Sequence, residues 1–94
     1  MPEIREISKV LAEISSPDDM EKFLYEILTD NERRDLALRW ELMKKLHGGI
    51  PQRTIASELG ISLCRITRGS RILKSAGSVT EKILNSSEVH KRKK

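Results

Sequence analysis

Apolar residues recur at helical spacing along the chain, and short segments with proline, serine or glycine separate the runs. The first run covers residues 3–14, and Ser15, Ser16 and Pro17 interrupt it. Pro17 suits the first position of a second helix, because the N–H that proline lacks has no helical partner there. The pattern predicts two amphipathic helices before residue 29.

A third helix should begin after Thr29 and end near His47. Thr29 and Glu32 have the spacing of a capping box, in which each side chain accepts the other residue's backbone amide. Gly48 and Gly49 follow as terminators. The apolar positions of this helix span more than half its circumference, which predicts a central helix that packs on more than one side. They are Leu36, Leu38, Trp40, Leu42, Met43 and Leu46.

Arg39 falls inside that apolar arc, where an unpaired charge is very costly. One interpretation is an ion pair with Asp35, one turn earlier. The other is that Arg39 lines a pocket and meets a ligand, either by stacking on a ring or by pairing with a carboxylate. From the residues alone, the internal pair is the commoner explanation.

Residues 50–75 have the layout of a helix-turn-helix motif. A helix from about Gln52 to Leu59 is followed by Gly60, which can adopt the left-handed conformation that closes a helix. Ser62 can then cap a second helix, the element that enters the major groove of DNA in such motifs.

The second helix of the motif has a basic face and no acidic residue. Leu63, Ile66 and Leu73 fall on one side of the helical wheel, and Cys64, Arg68 and Arg71 fall opposite. One side can be buried while the other presents cations to a polyanion. A solvated basic surface is the alternative interpretation.

The C-terminal segment predicts one more short helix. Ser78 and Glu81 have capping-box spacing, and Val79, Ile83 and Leu84 share a side. The basic tail at Lys91–Lys94 is either a disordered end or a source of additional phosphate contacts.

Composition narrows the class of protein. The 94 residues suit one domain with a thin core, for which pairing with a second copy is a common remedy. Residues 1–47 hold 8 Lys and Arg against 11 Asp and Glu, whereas residues 48–94 hold 10 against 3. We therefore expect dimerisation and core helices in 1–47, a DNA-binding helix-turn-helix in 48–75, and a C-terminal helix with a basic tail in 76–94.

Enzymatic and metal-dependent functions have little support in the sequence. His47, His90 and Cys64 lack metal-ligand spacing, and no phosphate-binding glycine loop or nucleophile–base pair is evident. The single cysteine fits a reducing cytoplasm, and no apolar run reaches membrane-spanning length. We expect a cytoplasmic regulator that is not an enzyme and has no metal.

Several short motifs carry a resemblance to the tryptophan repressor family of bacterial transcription regulators. They are LTDNER (28–33), Leu36, Arg39, QR (52–53), ELG (58–60), ITRGS (66–70) and LK (73–74). The resemblance covers about half the chain. It implies an all-α fold of about six helices, an intertwined homodimer, and repression that requires L-tryptophan as corepressor.

The resemblance also implies a ligand site between the central helix and the second helix of the motif. Arg39 and Arg68 match two arginines that sandwich the indole, and Arg68 also matches the partner of the carboxylate. Thr29 matches a threonine beside that carboxylate, and Gly69 lies where a side chain would crowd the ligand. The backbone carbonyls of Glu26 and Leu28 match those that receive the ammonium group.

The DNA-binding residues follow from the same resemblance and from the motif. Arg53 is the best candidate for guanine readout, because a guanidinium can bind the major-groove edge of guanine through two hydrogen bonds. Lys74 matches a lysine that contacts phosphate. The full predicted set is Gln52, Arg53, Leu63, Cys64, Arg65, Thr67, Arg68 and Lys74.

Departures from the family pattern leave alternatives open. The chain is one residue shorter between Arg39 and Gln52, and Pro51 stands where relatives often have a serine cap. Arg65 and Ile72 replace small polar residues, Ile72 near the ligand site, so ligand preference is in doubt. A regulator of the same fold with another ligand or none is one alternative, and an antitoxin-like interaction module is the other.

Overall fold

The computed structural model describes residues 2–86, and this part of the chain consists of six α-helices without a strand. The helices are α1 (Pro2–Glu13), α2 (Pro17–Ile27), α3 (Asp30–His47), α4 (Gln52–Leu59), α5 (Leu63–Lys74) and α6 (Val79–Ser86). The all-helical class predicted from the sequence is confirmed. His90 and the basic tail lie outside the described residues.

The predicted caps account for where most of the helices begin. Ser16 caps α2 by accepting the amide of Asp19 at 3.2 Å, with Pro17 in the first turn. The capping box of α3 is complete: the Thr29 amide donates to Glu32 Oε1 at 2.9 Å, and the Glu32 amide donates to Thr29 Oγ1 at 3.2 Å. These bonds satisfy two amides that a helix start would otherwise leave without a helical partner.

The end of α3 is fixed by a glycine turn. The amide of Gly49 donates to the Leu46 carbonyl at 3.1 Å, and the amide of Ile50 donates to the Lys45 carbonyl at 3.1 Å. This pair of bonds is the Schellman arrangement, and it requires a left-handed residue, which Gly49 supplies with a φ of 84°. The chain therefore turns at once into α4.

The structure divides into two compact units, Met1–Asp35 and Leu36–Lys94. In the first unit, none of the described residues of α2 is buried, and Ile4, Val10, Tyr25 and Ile27 are exposed. Ile4, Val10 and Ile27 have the helical spacing predicted from the sequence, but this unit alone does not cover these side chains.

Arg33 stabilises the turn between α2 and α3 in the first unit. Its guanidinium lies over the Tyr25 ring, 4.2 Å from the centroid, and pairs with Asp30. It also donates to the carbonyl of Leu28 at 2.7 Å and to that of Tyr25 at 3.2 Å. One side chain therefore joins the end of α2 to the first turn of α3.

The second unit contains the hydrophobic core. Leu42 of α3, Ile55 of α4 and Ile66 of α5 form its buried centre. The partly buried residues that pack against them are Leu46, Ile50, Ala56, Leu59 and Ile61. Leu84 is the buried residue of α6, and Lys45 pairs with Glu58 at 3.0 Å between α3 and α4.

Gly69 lets α5 approach α3 closely. A Cβ at this position would lie 3.1 Å from Leu46 Cδ1 and 3.4 Å from Leu42 Cδ2. The nearest obstacles to a side chain are therefore core leucines, whereas the sequence interpretation invoked crowding of a ligand. This packing explains why a residue that usually weakens a mid-helix position is tolerated here.

Some apolar positions are not covered within the single chain. Leu63, Val79 and Ile83 are exposed, although periodicity placed them on the apolar sides of α5 and α6, and Leu36 of α3 is 48% exposed. Their spacing is helical, as predicted.

One capping prediction needs correction. Ser78 caps α6 by accepting the Glu81 amide at 3.1 Å, but its own amide donates to the Ser75 carbonyl, so the capping box is half formed. Near the same end of the chain, His47 Nε2 lies 2.7 Å from Oδ1 of Asn85, which links the end of α3 to α6.

Replacing Gly69 with valine should lower the free energy of unfolding by about 1–3 kcal/mol, because the new methyl groups would press on Leu42 and Leu46. Urea unfolding followed by circular dichroism measures the change. Thr67→Val is the control, since it places valine at an exposed position of the same helix. Equal stability of the two variants would contradict the close packing.

Candidate ligand cleft and nucleic-acid interface

One wall of a cleft in the second unit comes from α3. Arg39, Leu42 and Met43 line it, and their spacing of three and four residues places them on one side of the helix. Leu42 is also part of the core, so core packing holds this wall in place. Arg39 stands at the exposed end of the group.

The facing wall comes from α5. Arg65, Arg68, Gly69 and Ile72 line it, again at three- and four-residue spacing. Between the two walls lies a cavity of about 310 Å³. This volume lies near the lower end of the range for small-molecule sites, roughly 300–1,000 Å³.

The chemistry of the lining is cationic and apolar. Three guanidiniums surround a surface made by Leu42, Met43, Gly69 and Ile72, and none of the seven lining residues is acidic. Guanidiniums bind carboxylates through paired hydrogen bonds and stack on flat rings. The cleft is therefore suited to a small ligand that has an apolar body and an anionic group.

The cleft brings together four residues predicted for the ligand site: Arg39, Arg68, Gly69 and Ile72. The expectation that Arg39 is buried in an apolar arc is wrong, since its side chain is exposed. The helical wheel located its side of α3 but not how much of that side is covered. Whether these residues bind L-tryptophan stays a prediction.

Sequence reasoning assigned Arg65 to DNA alone and did not assign Leu42 or Met43 to the site. The missed signal is periodicity: Leu42 and Met43 follow Arg39 by three and four residues, and Arg65 precedes Arg68 by three. Residues at these intervals share a side of the helix. Assigning Arg39 and Arg68 to the cleft could therefore have been extended to Leu42, Met43 and Arg65.

The other predicted ligand residues, Glu26, Leu28 and Thr29, belong to the first unit. The Thr29 hydroxyl accepts the Glu32 amide in the capping box, and the Leu28 carbonyl accepts a hydrogen bond from Arg33 at 2.7 Å. Glu26 is exposed. Their proposed contacts with a ligand stay predictions.

The turn between α4 and α5 has the geometry expected of a helix-turn-helix. Gly60 closes α4 in the left-handed region, with a φ of 66°, and its amide donates to the Ala56 carbonyl at 2.9 Å. The Ser62 hydroxyl caps α5 by accepting the Arg65 amide at 3.3 Å. Pro51 precedes α4 without a side-chain cap, yet the helix still begins at Gln52.

Most of the predicted DNA-binding residues are exposed, and only Gln52 is partly buried. Leu63, Cys64, Arg65, Thr67 and Arg68 lie in the first half of α5, and Arg53 lies in the first turn of α4. The exposure of Leu63 is consistent with base contact rather than with the core.

Lys74 lies at the opposite end of α5 from these residues. It lines a second cavity of about 340 Å³, to which α3, α5 and α6 contribute residues, among them Glu81. A phosphate contact by Lys74 would therefore take place beside α6 and a carboxylate. Its role stays a prediction.

No group of three His, Cys, Asp or Glu side chains between residues 2 and 86 is arranged to hold a metal ion. None of the helices in this range is long and apolar enough to cross a membrane.

The fold and the cleft define an all-helical protein with a helix-turn-helix and a cationic cleft between α3 and α5. The sequence profile of the Trp repressor protein family matches residues 3–88. The chain therefore belongs to the Trp repressor protein family, as the resemblance predicted.

Individual relatives agree with the family match. A Trp operon repressor homolog of Chlamydia trachomatis serovar L2 is 41% identical over 61 residues, which are 60% of this chain and 65% of that protein. The corresponding homolog of Xylella fastidiosa strain M23 is 41% identical over 63 residues, covering 66% and 68%. That of Vibrio parahaemolyticus serotype O3:K6 is 36% identical over 78 residues, covering 79% and 76%.

The chain thus spans just under two thirds of the length of the chlamydial relative. No solved structure matches the chain significantly.

Replacing Ser62 with alanine should lower the free energy of unfolding by about 1 kcal/mol, because the Arg65 amide loses the cap. The same first turn carries residues of both predicted sites, so fraying should also increase hydrogen exchange at Arg65 and Ile66, whose amides donate to Ser62. Thermal unfolding and amide exchange measure the two effects. Ser62→Asp, which retains a cap, should restore both; failure to do so would contradict this role of Ser62.

Proposed function

We propose that this protein is a tryptophan-responsive transcriptional repressor. In this proposal L-tryptophan binds between α3 and α5 and enables the helix-turn-helix to bind operator DNA. Membership in the Trp repressor protein family supports the regulatory role. The observation that carries the ligand assignment is the cleft that Arg39 of α3 and Arg68 of α5 line together with apolar residues.

The cleft has the groups that an aromatic amino acid requires. An indole ring can lie between two flat guanidiniums and contact Leu42, Met43 and Ile72. Arg68 can then pair with the carboxylate. Gly69 supports this use indirectly, because its packing on α3 brings the two walls close together.

DNA binding is proposed for α4 and α5. The exposed cations Arg53, Arg65 and Arg68 support it, since phosphate contacts supply much of the affinity of such proteins. The N-terminal turns of α5 would meet base edges in the major groove. Since α5 also forms a wall of the cleft, a ligand there can favour the orientation of α5 that fits DNA.

A homodimer is the third part of the proposal. Family membership supports it, and so do the apolar side chains that the described chain leaves exposed, among them Ile4, Tyr25, Val79 and Ile83. Apolar side chains that one chain leaves exposed can be covered by a second copy. A dimer would also offer two helix-turn-helix motifs to a DNA site with two-fold symmetry.

A regulator of the same fold with a different ligand is the second candidate. The observation that favours it is the presence of Arg65 and Ile72 in the cleft, where they add a cation and an apolar side chain. An antitoxin-like interaction module has no comparable support from the family match.

Arg68→Ala should weaken binding of L-tryptophan by at least about tenfold, because it removes both a ring contact and the carboxylate partner. Arg39→Ala should weaken it by a similar factor, and Arg39→Lys should recover little because an ammonium cannot stack as a flat group. Isothermal titration calorimetry measures the affinities. Arg71→Ala is the matched control, since Arg71 is an exposed arginine of α5 that does not line the cleft.

If both the Arg39 and the Arg68 variants give unchanged titration heats, this cleft is not the binding site of L-tryptophan. Loss of binding in Arg71→Ala as well would point to a general effect of charge rather than to a site.

Arg53→Ala should weaken binding to a specific duplex by about 1–3 kcal/mol and should relax selection at one base pair. The duplex is first enriched from a random pool by the wild-type protein with L-tryptophan present, and gel shifts then measure affinity at several salt concentrations. Arg34→Ala, which alters an arginine in the first unit that bonds to Asn31, should leave affinity unchanged. Equal enrichment with and without L-tryptophan would reject the corepressor role.

A further inference from the structure

The cavity that Lys74 lines has no ligand in the proposed function. Its residues come from the end of α3, the C-terminal half of α5 and the first turn of α6, all within the second unit. It shares no lining residue with the cleft that Arg39 and Arg68 line. Its volume of about 340 Å³ lies within the range for small-molecule sites, roughly 300–1,000 Å³. The cavity is therefore a separate candidate site.

Contacts of α6 hold the walls of this cavity in place. Leu84 of α6 is buried, and Nε2 of His47 lies 2.7 Å from Oδ1 of Asn85, which joins the end of α3 to α6. The Ser78 hydroxyl accepts the amide of Glu81 at 3.1 Å, so the backbone at Glu81 is fixed. A site whose walls are already ordered costs less conformational entropy when a ligand binds.

The lining carries one cation and one anion. Lys74 lies in the last turn of α5, and Glu81 lies in the first turn of α6. Neither side chain forms an ion pair with the other or with any other residue in the range 2–86. Each charge suits the dipole of its own helix end. That preference does not require the two charges to line one cavity, whereas a ligand with both an anion and a cation can bind both.

The other lining residues favour an aliphatic ligand body. Leu46 and Leu73 are partly buried and supply an apolar wall, and Ser70 adds a hydroxyl that can donate or accept a hydrogen bond. The six lining residues that the structure describes include no arginine. The flat guanidiniums that make the other cleft suitable for a ring are therefore missing from this lining.

We propose that this cavity is a second small-molecule site, and that it binds an aliphatic amino acid as a zwitterion. In this arrangement the carboxylate pairs with Lys74, the ammonium pairs with Glu81, and the aliphatic side chain lies on Leu46 and Leu73. The inference does not depend on the proposed function, because the two sites have no residue in common.

L-Leucine and two analogues test whether both charges are needed. Isocaproate is L-leucine without the ammonium, and isoamylamine is L-leucine without the carboxylate. Titrations of the full chain are followed by NMR at the backbone amides, which reports weak binding and its location. L-Leucine should shift the amides of Leu73, Lys74 and Glu81. It should bind about threefold more tightly than either analogue, as expected for one additional exposed ion pair.

Variants assign the preference to the two charges. Lys74→Gln should abolish the advantage of L-leucine over isoamylamine, and Glu81→Gln should abolish its advantage over isocaproate. Lys74→Arg should retain both, because the preference depends on charge. Lys82→Gln is the matched control, since Lys82 is an exposed lysine of α6 that does not line the cavity. A ratio of affinities within one protein does not depend on its stability, so a destabilised variant remains informative.

Several results would overturn the inference. If L-leucine shifts the amides of Leu42 and Met43 but not those of Leu73 and Glu81, it binds the other cleft. Equal affinities for L-leucine and its analogues, or unchanged ratios in both glutamine variants, would show that the two charges do not form a site. If L-leucine causes no shift while dilution of the protein shifts the Leu73 and Glu81 amides, a second copy covers the cavity. None of these results affects the proposed function, which is tested by titration with L-tryptophan.

Discussion

The close approach of α5 to α3 at Gly69 is the contact on which the rest of the second unit depends. Without a Cβ at this position, the backbone of α5 lies against Leu42 and Leu46. The same approach forms a cleft that both Arg39 and Arg68 line. One packing contact therefore supports the core and sets the width of the cleft, so a larger residue at Gly69 affects both.

The cleft and the candidate DNA surface share one helix. Ile66 and Gly69 bury one side of α5, Arg65 and Arg68 line the cleft, and Thr67 is exposed. A ligand can alter DNA binding only if its affinity differs between two orientations of the helix-turn-helix. Guanidiniums on both walls meet this condition, because a ligand that bridges them is held best at one separation of α3 and α5. Coupling of this kind requires no change inside either helix.

The first unit is organised by different forces. Its described residues form no buried cluster comparable to that of Leu42, Ile55 and Ile66. Capping bonds at Ser16 and Thr29 and the contacts of Arg33 hold its turns, while apolar side chains remain exposed. Local hydrogen bonds can define where helices begin, but they bury little apolar area. Such a unit gains stability when a second copy covers it, which is consistent with the proposed homodimer.

The amino-acid sequence by itself determined where the helices begin and end. The Thr29–Glu32 box, the Gly60 closure and the Ser62 cap each involve residues a few positions apart, so local chemistry is enough to predict them. Family motifs likewise place Arg39, Arg68, Gly69 and Ile72 at the predicted ligand site. Periodicity assigns a residue to a side of a helix, but only tertiary packing decides whether another element covers that side. For that reason Arg39, Leu63 and Val79 proved exposed, and Arg65 lines a cleft as well as the predicted DNA surface.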